Sequence, residues 1–249
     1  MNNPFALNGK TILVTGASSG LGKQTAITVS RLGAQVIITG RNPEKLNETF
    51  VTMDPCRSHV EHLQITADLT VQREIDELTD QIPVLNGVVF SVGISDLLPT
   101  KFITGKDLEK NFSVSFNAAV LLMAALQKRK KLQRQHCSIL FISSISTRYP
   151  FVGGAMYISA KAAMEAYARV LGLELLPKGI RVNCISPGFV RGPMFDETQE
   201  KIPAETIAKI EERQPLGLGE PEDVANTIVF YLSDASRWVT GTNLFLGGG

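Results

Sequence analysis

Thr11-Ile12-Leu13-Val14-Thr15-Gly16-Ala17-Ser18-Ser19-Gly20-Leu21-Gly22 is the stretch whose reading decides the fold. Its first five residues are β-branched or apolar, as in a buried strand. The glycine-rich turn Gly16 to Gly22 follows at once, and Lys23 to Leu32 then reads as helix. Strand, glycine turn and helix in that order form the first half of a βαβ unit of the kind that binds dinucleotides. Glycines let backbone approach a pyrophosphate, and the helix N-terminus offers free N–H groups and partial positive charge. An ordinary turn is the competing reading, and the strand before it and the helix after it weigh against that.

Working outward, strand-like runs recur at Thr11–Thr15, Gln35–Thr39, Glu61–Ile65, Gly87–Ser91, Ser138–Ile142, Gly179–Ile185 and Asn243–Leu246, with helical segments between them. This alternation predicts an α/β fold: one Rossmann-type, doubly wound domain over residues 1–249, about seven parallel strands with helices on both faces. No Pro/Gly/Ser-rich linker divides the chain, and neither repeats nor low-complexity segments occur. Gly16, Arg41, Asp68, Gly93, Ser144 and Pro187 each follow a strand. The topology therefore brings them to one crevice.

Tyr157-Ile158-Ser159-Ala160-Lys161 places a phenol and an ammonium one helical turn apart. A free phenol titrates near pH 10, too high for acid–base work near neutrality. The neighbouring ammonium is expected to pull it down. Ser144, after the run Ser138 to Ile142, could hold a carbonyl or alcohol oxygen beside that pair. Such a trio moves a proton but supplies no hydride, so a cofactor site is required.

The spacing Thr15-Gly16-x-x-x-Gly20-x-Gly22, with Tyr157-x-x-x-Lys161 and Ser144, resembles the classical branch of the short-chain dehydrogenase/reductase family. Asp68-Leu69-Thr70, Arg181-Val182-Asn183, Pro187-Gly188, Gly219 to Ala225 and Val239-Thr240-Gly241 match further family segments in order, over roughly the whole chain. The nearest look is to 3-oxoacyl-carrier-protein reductases. The resemblance implies Tyr157 as proton donor, Lys161 bonding the nicotinamide ribose and Ser144 binding the carbonyl oxygen. It implies cofactor contacts at Gly16, Ser18, Ser19, Gly20, Leu21, Gly22, Arg41, Asn42, Asp68, Leu69, Ser91, Gly93, Tyr157, Lys161, Pro187, Gly188 and Val190. An acid normally ends the second strand of an NAD-binding fold. Here Gly40 and Arg41 stand there, which favours NADPH/NADP+ over NADH, since a guanidinium pairs well with a 2′-phosphate. Stacking on adenine, or pointing to water, is the alternative for Arg41.

The chain also departs from the family. Ser115 occupies the register of a relay asparagine, with Asn111 and Asn117 out of register. Phe90-Ser91-Val92-Gly93 replaces the Asn-Asn-Ala-Gly turn. A glycine, Gly192, stands where the family commonly has Thr, and no Asp precedes the final glycines. Residues 191–217 form an insert suited to a mobile lid over the substrate, with a helix-like stretch from Ala204 to Arg213. Ser144, Ser146, Phe151, Phe189 and Met194 are the expected substrate contacts, with Ile94, Tyr149 and Phe195 beside them. They suit a moderately hydrophobic ketone or acyl thioester. Relatives imply a homotetramer or homodimer. The helix face Tyr157, Met164, Ala168, Leu171, Leu175 fits an interface or a core equally well. The alternative function is a catalytically weakened, NADP(H)-binding sensor.

A net charge of +1 leaves no broad footprint for nucleic acid or membrane. The basic run Lys128 to Arg134 reads as a solvated helix end. Three scattered cysteines, Cys56, Cys137 and Cys184, imply no disulfide framework, and His59 with His62 implies no metal. Met1 to Phe5 opens no signal peptide, and the apolar stretch Ala118 to Leu126 is too short to span a bilayer. A soluble, cytoplasmic protein is expected.

Overall fold

In a computed structural model, all seven expected runs are strands of one parallel sheet. The structure describes residues 3–56, 61–200, 205, 207–208 and 212–247. The strands are β1 (Thr11–Thr15), β2 (Gln35–Gly40), β3 (Leu63–Thr66), β4 (Gly87–Phe90), β5 (Cys137–Ile142), β6 (Ile180–Pro187) and β7 (Asn243–Leu246). Their order is β3-β2-β1-β4-β5-β6-β7, and every neighbouring pair is parallel. The chain steps outward from β1 to β3, then returns to lay β4 on the other side of β1. That reversal opens a crevice at the C-terminal ends of β1 and β4, where doubly wound sheets bind ligands.

Both sheet faces are buried, which explains why the strands read as unbroken apolar runs rather than alternating ones. Leu13, Ile37, Val88, Ile139 and Val182 face one side, against α3 (Gln72–Gln81), α5 (Ala118–Lys128) and α6 (Ala155–Leu175). Ile12, Val14, Val36, Ile38, Val89 and Leu140 face the other, against α1 (Gly20–Arg31) and α8 (Pro221–Leu232). Shorter helices α2 (Pro43–Thr52), α4 (Gly105–Phe112) and α7 (Pro193–Gln199) complete the layers. Met164, Ala168, Leu171 and Leu175 of α6 lie in the first of these cores, so that face packs within the chain. The outward face of α6 instead carries exposed Val170 and Leu173, and Leu121 projects from α5.

Strand ends differ from the sequence reading by a residue or two, each for a local reason. Gly179 is left-handed (φ 68°) and closes the turn Leu176–Lys178, so β6 begins one residue later. The N–H of Val36 donates to His62 Nδ1 at 3.0 Å, and β3 starts only at Leu63. His62 Nε2 meets the Asp54 carbonyl at 2.7 Å, so both ring nitrogens are engaged by backbone, while His59 lies outside the described residues. The basic run is less solvated than expected: Arg129 pairs with Asp80 at 2.7 Å and Asp76 at 3.1 Å, and Lys131 Nζ donates to the Ile82 carbonyl. Burial pushes the Cys137 and Cys184 thiols up to about 12, as befits core residues. Among the described residues no helix is long and apolar enough to cross a membrane.

Candidate active site

A cavity of about 400 Å³ runs along the C-terminal ends of the strands, from the glycine turn to α7. Of the expected site residues, Gly16, Ser18, Ser19, Gly20, Leu21, Arg41, Asn42, Asp68, Leu69, Ser91, Gly93, Ser144, Ser146, Phe151, Tyr157, Lys161, Pro187, Gly188, Phe189, Val190 and Met194 line it. Gly22 and Ser115 do not.

The glycine turn shows why its spacing matters. Gly16 is left-handed (φ 66°), and a Cβ there would sit 2.8 Å from the Ser91 carbonyl oxygen, across the crevice. A Cβ on Gly22 would lie 2.3 Å from the Gly16 carbonyl oxygen. Gly22 therefore serves the close packing of α1 on the turn rather than a ligand contact. Ser19 precedes the first residue of α1, and its side chain makes no capping bond. The free N–H groups of the first turn accordingly remain available to an anion. The hydroxyls of Ser18 and Thr39 are buried without a partner among the described residues, an uncommon state for polar atoms. A Cβ on Gly40 would meet Ser18 Oγ, so a side chain at Gly40 would require the Ser18 hydroxyl to turn away. Arg41 is exposed beside it, and Asn42 caps α2 by accepting from Lys45 N at 2.7 Å. Arg41, Lys161 and Arg191 bring positive charge to the lining and Asp68 is its acid, which suits a phosphate-bearing ligand.

At the other end, Tyr157 and Lys161 occupy successive turns of α6, both buried. Lys161 Nζ donates to the Ile142 carbonyl at 2.8 Å and stands 5.8 Å from the Tyr157 ring centroid. Burial pushes the lysine down to about 8. Burial also raises the tyrosine above its usual value, and the nearby Ser144 hydroxyl only partly opposes this. The expected lowering of the Tyr157 pKa is thus overturned. Removing the phenol from water penalises phenolate more than the lysine, held on the Ile142 carbonyl, favours it. Ser144 caps the short turn Ile145–Thr147; its Oγ accepts from Ser146 N at 3.2 Å and donates to Ser146 Oγ at 3.0 Å.

Ser115 lies behind the lining, in a π turn (Ser113–Asn117) between α4 and α5. Its Oγ accepts from Ile94 N at 3.3 Å. An ideal Cβ on Gly93 would be 3.1 Å from Lys161 Nζ and 3.9 Å from Ser115 Oγ, so Gly93 separates these two groups by little more than its own backbone. Asn111, one turn earlier, is fully buried, and its amide has no partner among the described residues.

The segment after Pro187-Gly188 is clamped by a residue that sequence reasoning missed. Gln214 Oε1 accepts from Phe189 N at 2.7 Å, and Nε2 donates to the Phe189 carbonyl at 3.2 Å. Val190 bridges Gly219, with Gly219 N on the Phe189 carbonyl and Arg191 N on the Gly219 carbonyl. That pattern leaves the N–H and C=O of Val190 itself outside the pairing. Nothing local in the sequence marks this clamp, because Phe189 lies 25 residues from Gln214. Buried Phe195 on α7 packs edge-on to Phe189 at 5.6 Å. Half of the helix-like stretch 204–213 lies outside the described residues. Ile94 and Tyr149, expected at the substrate, are not in the lining; Tyr149 is exposed, with the Arg148 and Arg213 guanidiniums each 5.5 Å from its ring.

Comparison with known proteins agrees with this geometry. The family profile described as Enoyl-(Acyl carrier protein) reductase matches residues 16–249. A 3-oxoacyl-(acyl-carrier-protein) reductase of Rickettsia felis is 34% identical, over 98% of this chain and 97% of its own length. A hydroxy(phenyl)methylsuccinyl-CoA dehydrogenase subunit of Thauera aromatica is 33% identical, over 98% of both chains. The solved structure of a short-chain type dehydrogenase/reductase from Mycobacterium ulcerans superposes with a TM-score of 0.88 at 28% identity, over 98% of this chain and 90% of that one. With a parallel sheet reversing at β1/β4, the glycine turn at that reversal and a buried Ser–Tyr–Lys group in the same cavity, the chain belongs to the short-chain dehydrogenase/reductase family of oxidoreductases.

Proposed function

We propose that the protein is an NADPH-dependent reductase that converts a ketone, of the 3-oxoacyl thioester class, to a secondary alcohol, with Tyr157 as proton donor. The observation that carries this reading is that buried Tyr157 and Ser144 share one cavity with the glycine turn and Arg41. The residues present fit a dinucleotide. The Ser18 and Thr39 hydroxyls are buried without partners among the described residues, Gly16 leaves no room for a side chain, and α1 begins at the turn. Gly16 to Leu21 would hold the pyrophosphate, Arg41 the 2′-phosphate, and Asp68 and Leu69 the adenine side. Ser91 and Gly93 would flank the ribose, and the free backbone groups of Val190, after Pro187-Gly188, would hold the carboxamide.

Bound there, the nicotinamide supplies the hydride. Ser144 donates a hydrogen bond to the substrate oxygen as charge builds on it. Tyr157, whose pKa burial raises, still holds its proton at neutral pH and gives it to that oxygen. A phenol that keeps its proton at neutral pH is in the form that ketone reduction requires of its acid. Lys161 orients the ribose, and Ser115, behind Gly93, anchors the path that returns the proton. Phe151, Phe189 and Met194 supply an apolar wall for the acyl portion, and the Ser146 N–H holds the Ser144 oxygen while its proton turns to the substrate. Residues 191–217 act as the lid, and the exposed apolar faces of α5 and α6 join copies of the chain into a homo-oligomer.

The deciding experiment measures NADPH and NADH oxidation across a ketone panel that includes a 3-oxoacyl thioester. Turnover with NADPH is expected; tight binding without turnover on every ketone would indicate a sensor instead. Arg41→Ala tests the cofactor preference. A charge-assisted bond contributes about 1.5–3 kcal/mol, so NADPH affinity should fall roughly 10- to 100-fold in a fluorescence titration, with NADH affinity little changed. Equal losses would sink the 2′-phosphate role.

A further inference from the structure

We propose that Glu165 is a positioning residue that clamps the Ser144 segment onto the catalytic helix, an inference that rests on the reductase reading above. Tyr157, Lys161 and Glu165 stand on successive turns of α6, so their side chains form one stripe. Glu165 Oε1 lies 2.6 Å from Ser143 Oγ, 2.8 Å from Thr147 Oγ1 and 3.3 Å from Ser186 Oγ. Each hydroxyl has a single proton to give. Ser186 has a closer acceptor in Asn243 Oδ1, at 2.8 Å. Ser143 has only a distant alternative, the Lys161 carbonyl at 3.4 Å. Thr147 could turn to the Ser144 carbonyl at 3.0 Å, but the carboxylate is nearer and charged.

The donors that remain to Glu165 are therefore Ser143 and Thr147, the residues that bracket the turn led by Ser144. Ser144 reaches its own position through backbone φ −158° and ψ 145° and through Ser146, both parts of that same bracketed turn. One carboxylate thus fixes the oxygen-binding hydroxyl relative to the proton donor two turns earlier on α6. Its third neighbour, Ser186, precedes Pro187-Gly188, and that weaker contact ties the nicotinamide side less tightly. The clamp should govern the geometry of proton transfer more than the binding of cofactor. Misplacement of a reacting group by about 1 Å costs on the order of 10²-fold in rate.

The test compares Glu165→Ala and Glu165→Gln with the parent enzyme. In the Ala variant kcat should fall about 10- to 100-fold, with KM and the NADPH dissociation constant within about threefold of the parent. The Gln variant keeps an acceptor oxygen and should recover most of the rate. Amide hydrogen exchange should speed up in residues 143–149 of the Ala variant and stay unchanged in the glycine turn. Exchange needs no turnover, so faster exchange at residues 143–149 supports the clamp even if the parent reduces no ketone, an outcome that would sink only the reductase reading. Parent-like kcat in the Ala variant, exchange unchanged at residues 143–149, or cofactor affinity lost in step with rate would overturn the clamp. Should the Ala variant not fold, Thr147→Val removes one of the two donors. It should lower kcat several-fold with the NADPH dissociation constant unchanged; parent-like kcat would overturn the proposal.

Discussion

Tyr157→Phe should lower ketone reduction by about 10²–10⁴-fold while NADPH still binds with nearly parent affinity. The substitution deletes one hydroxyl and keeps the ring, which is buried at the head of α6. Packing therefore survives, and the loss reads out the proton alone. Burial holds that proton on the phenol near neutral pH, and Ser144 stands beside it. Steady-state rates with the best ketone, paired with a fluorescence titration of NADPH, check both halves. A Phe variant that still turns over would refute the role given to Tyr157.

Lys161→Met should abolish turnover and at the same time make the protein more stable at pH 7. The lysine is buried, and burial moves it from 10.5 to about 8. At roughly 1.4 kcal/mol per unit, keeping it charged inside the fold costs about 3 kcal/mol. Methionine removes that cost but leaves the Ile142 carbonyl without its 2.8 Å donor, a loss of about 1–2 kcal/mol. The net gain is on the order of 1–2 kcal/mol, or a few degrees in Tm for a chain of this size. The sign follows from linkage. Between pH 8 and 10.5 the unfolded lysine holds its proton and the folded one has released it, so parent stability rises with pH there. Below pH 8 both states are charged and the full cost applies. The advantage of the Met variant should accordingly be largest below pH 8 and shrink toward pH 10.5. Thermal unfolding of both proteins across that range measures it. A Met variant less stable than the parent at pH 7 would show that Lys161 is held by more than the Ile142 carbonyl.

How much of the site is legible beforehand depends on the range of the interaction concerned. The glycine spacing Gly16, Gly20, Gly22 is a local backbone requirement, and it predicts the turn directly. It does not separate Gly16, which faces the cavity, from Gly22, which meets the Gly16 carbonyl inside the turn. Tyr157 and Lys161 are tied by helical period, so their shared face is visible from spacing alone. Glu165 continues that stripe, yet its partners Ser143, just past β5, and Ser186, in β6, are announced by no periodicity. Gln214 is hidden for the same reason. The apolar stripe of α6 could have faced a partner or the core, and packing against the sheet assigns Met164, Ala168, Leu171 and Leu175 to the core.

By itself the amino-acid order determined the seven strands, the parallel alternation, the glycine turn and the shared helix face of Tyr157 and Lys161. All of these rest on short-range rules: side-chain shape within a strand, glycine's freedom at positive φ, and the pitch of a helix. Tertiary structure alone decided the sign of the Tyr157 shift, the convergence of hydroxyls on Glu165 and the clamp of Gln214 on Phe189. Desolvation depends on everything that packs around a group, and hydrogen bonds between distant segments exist only once the sheet has brought those segments together.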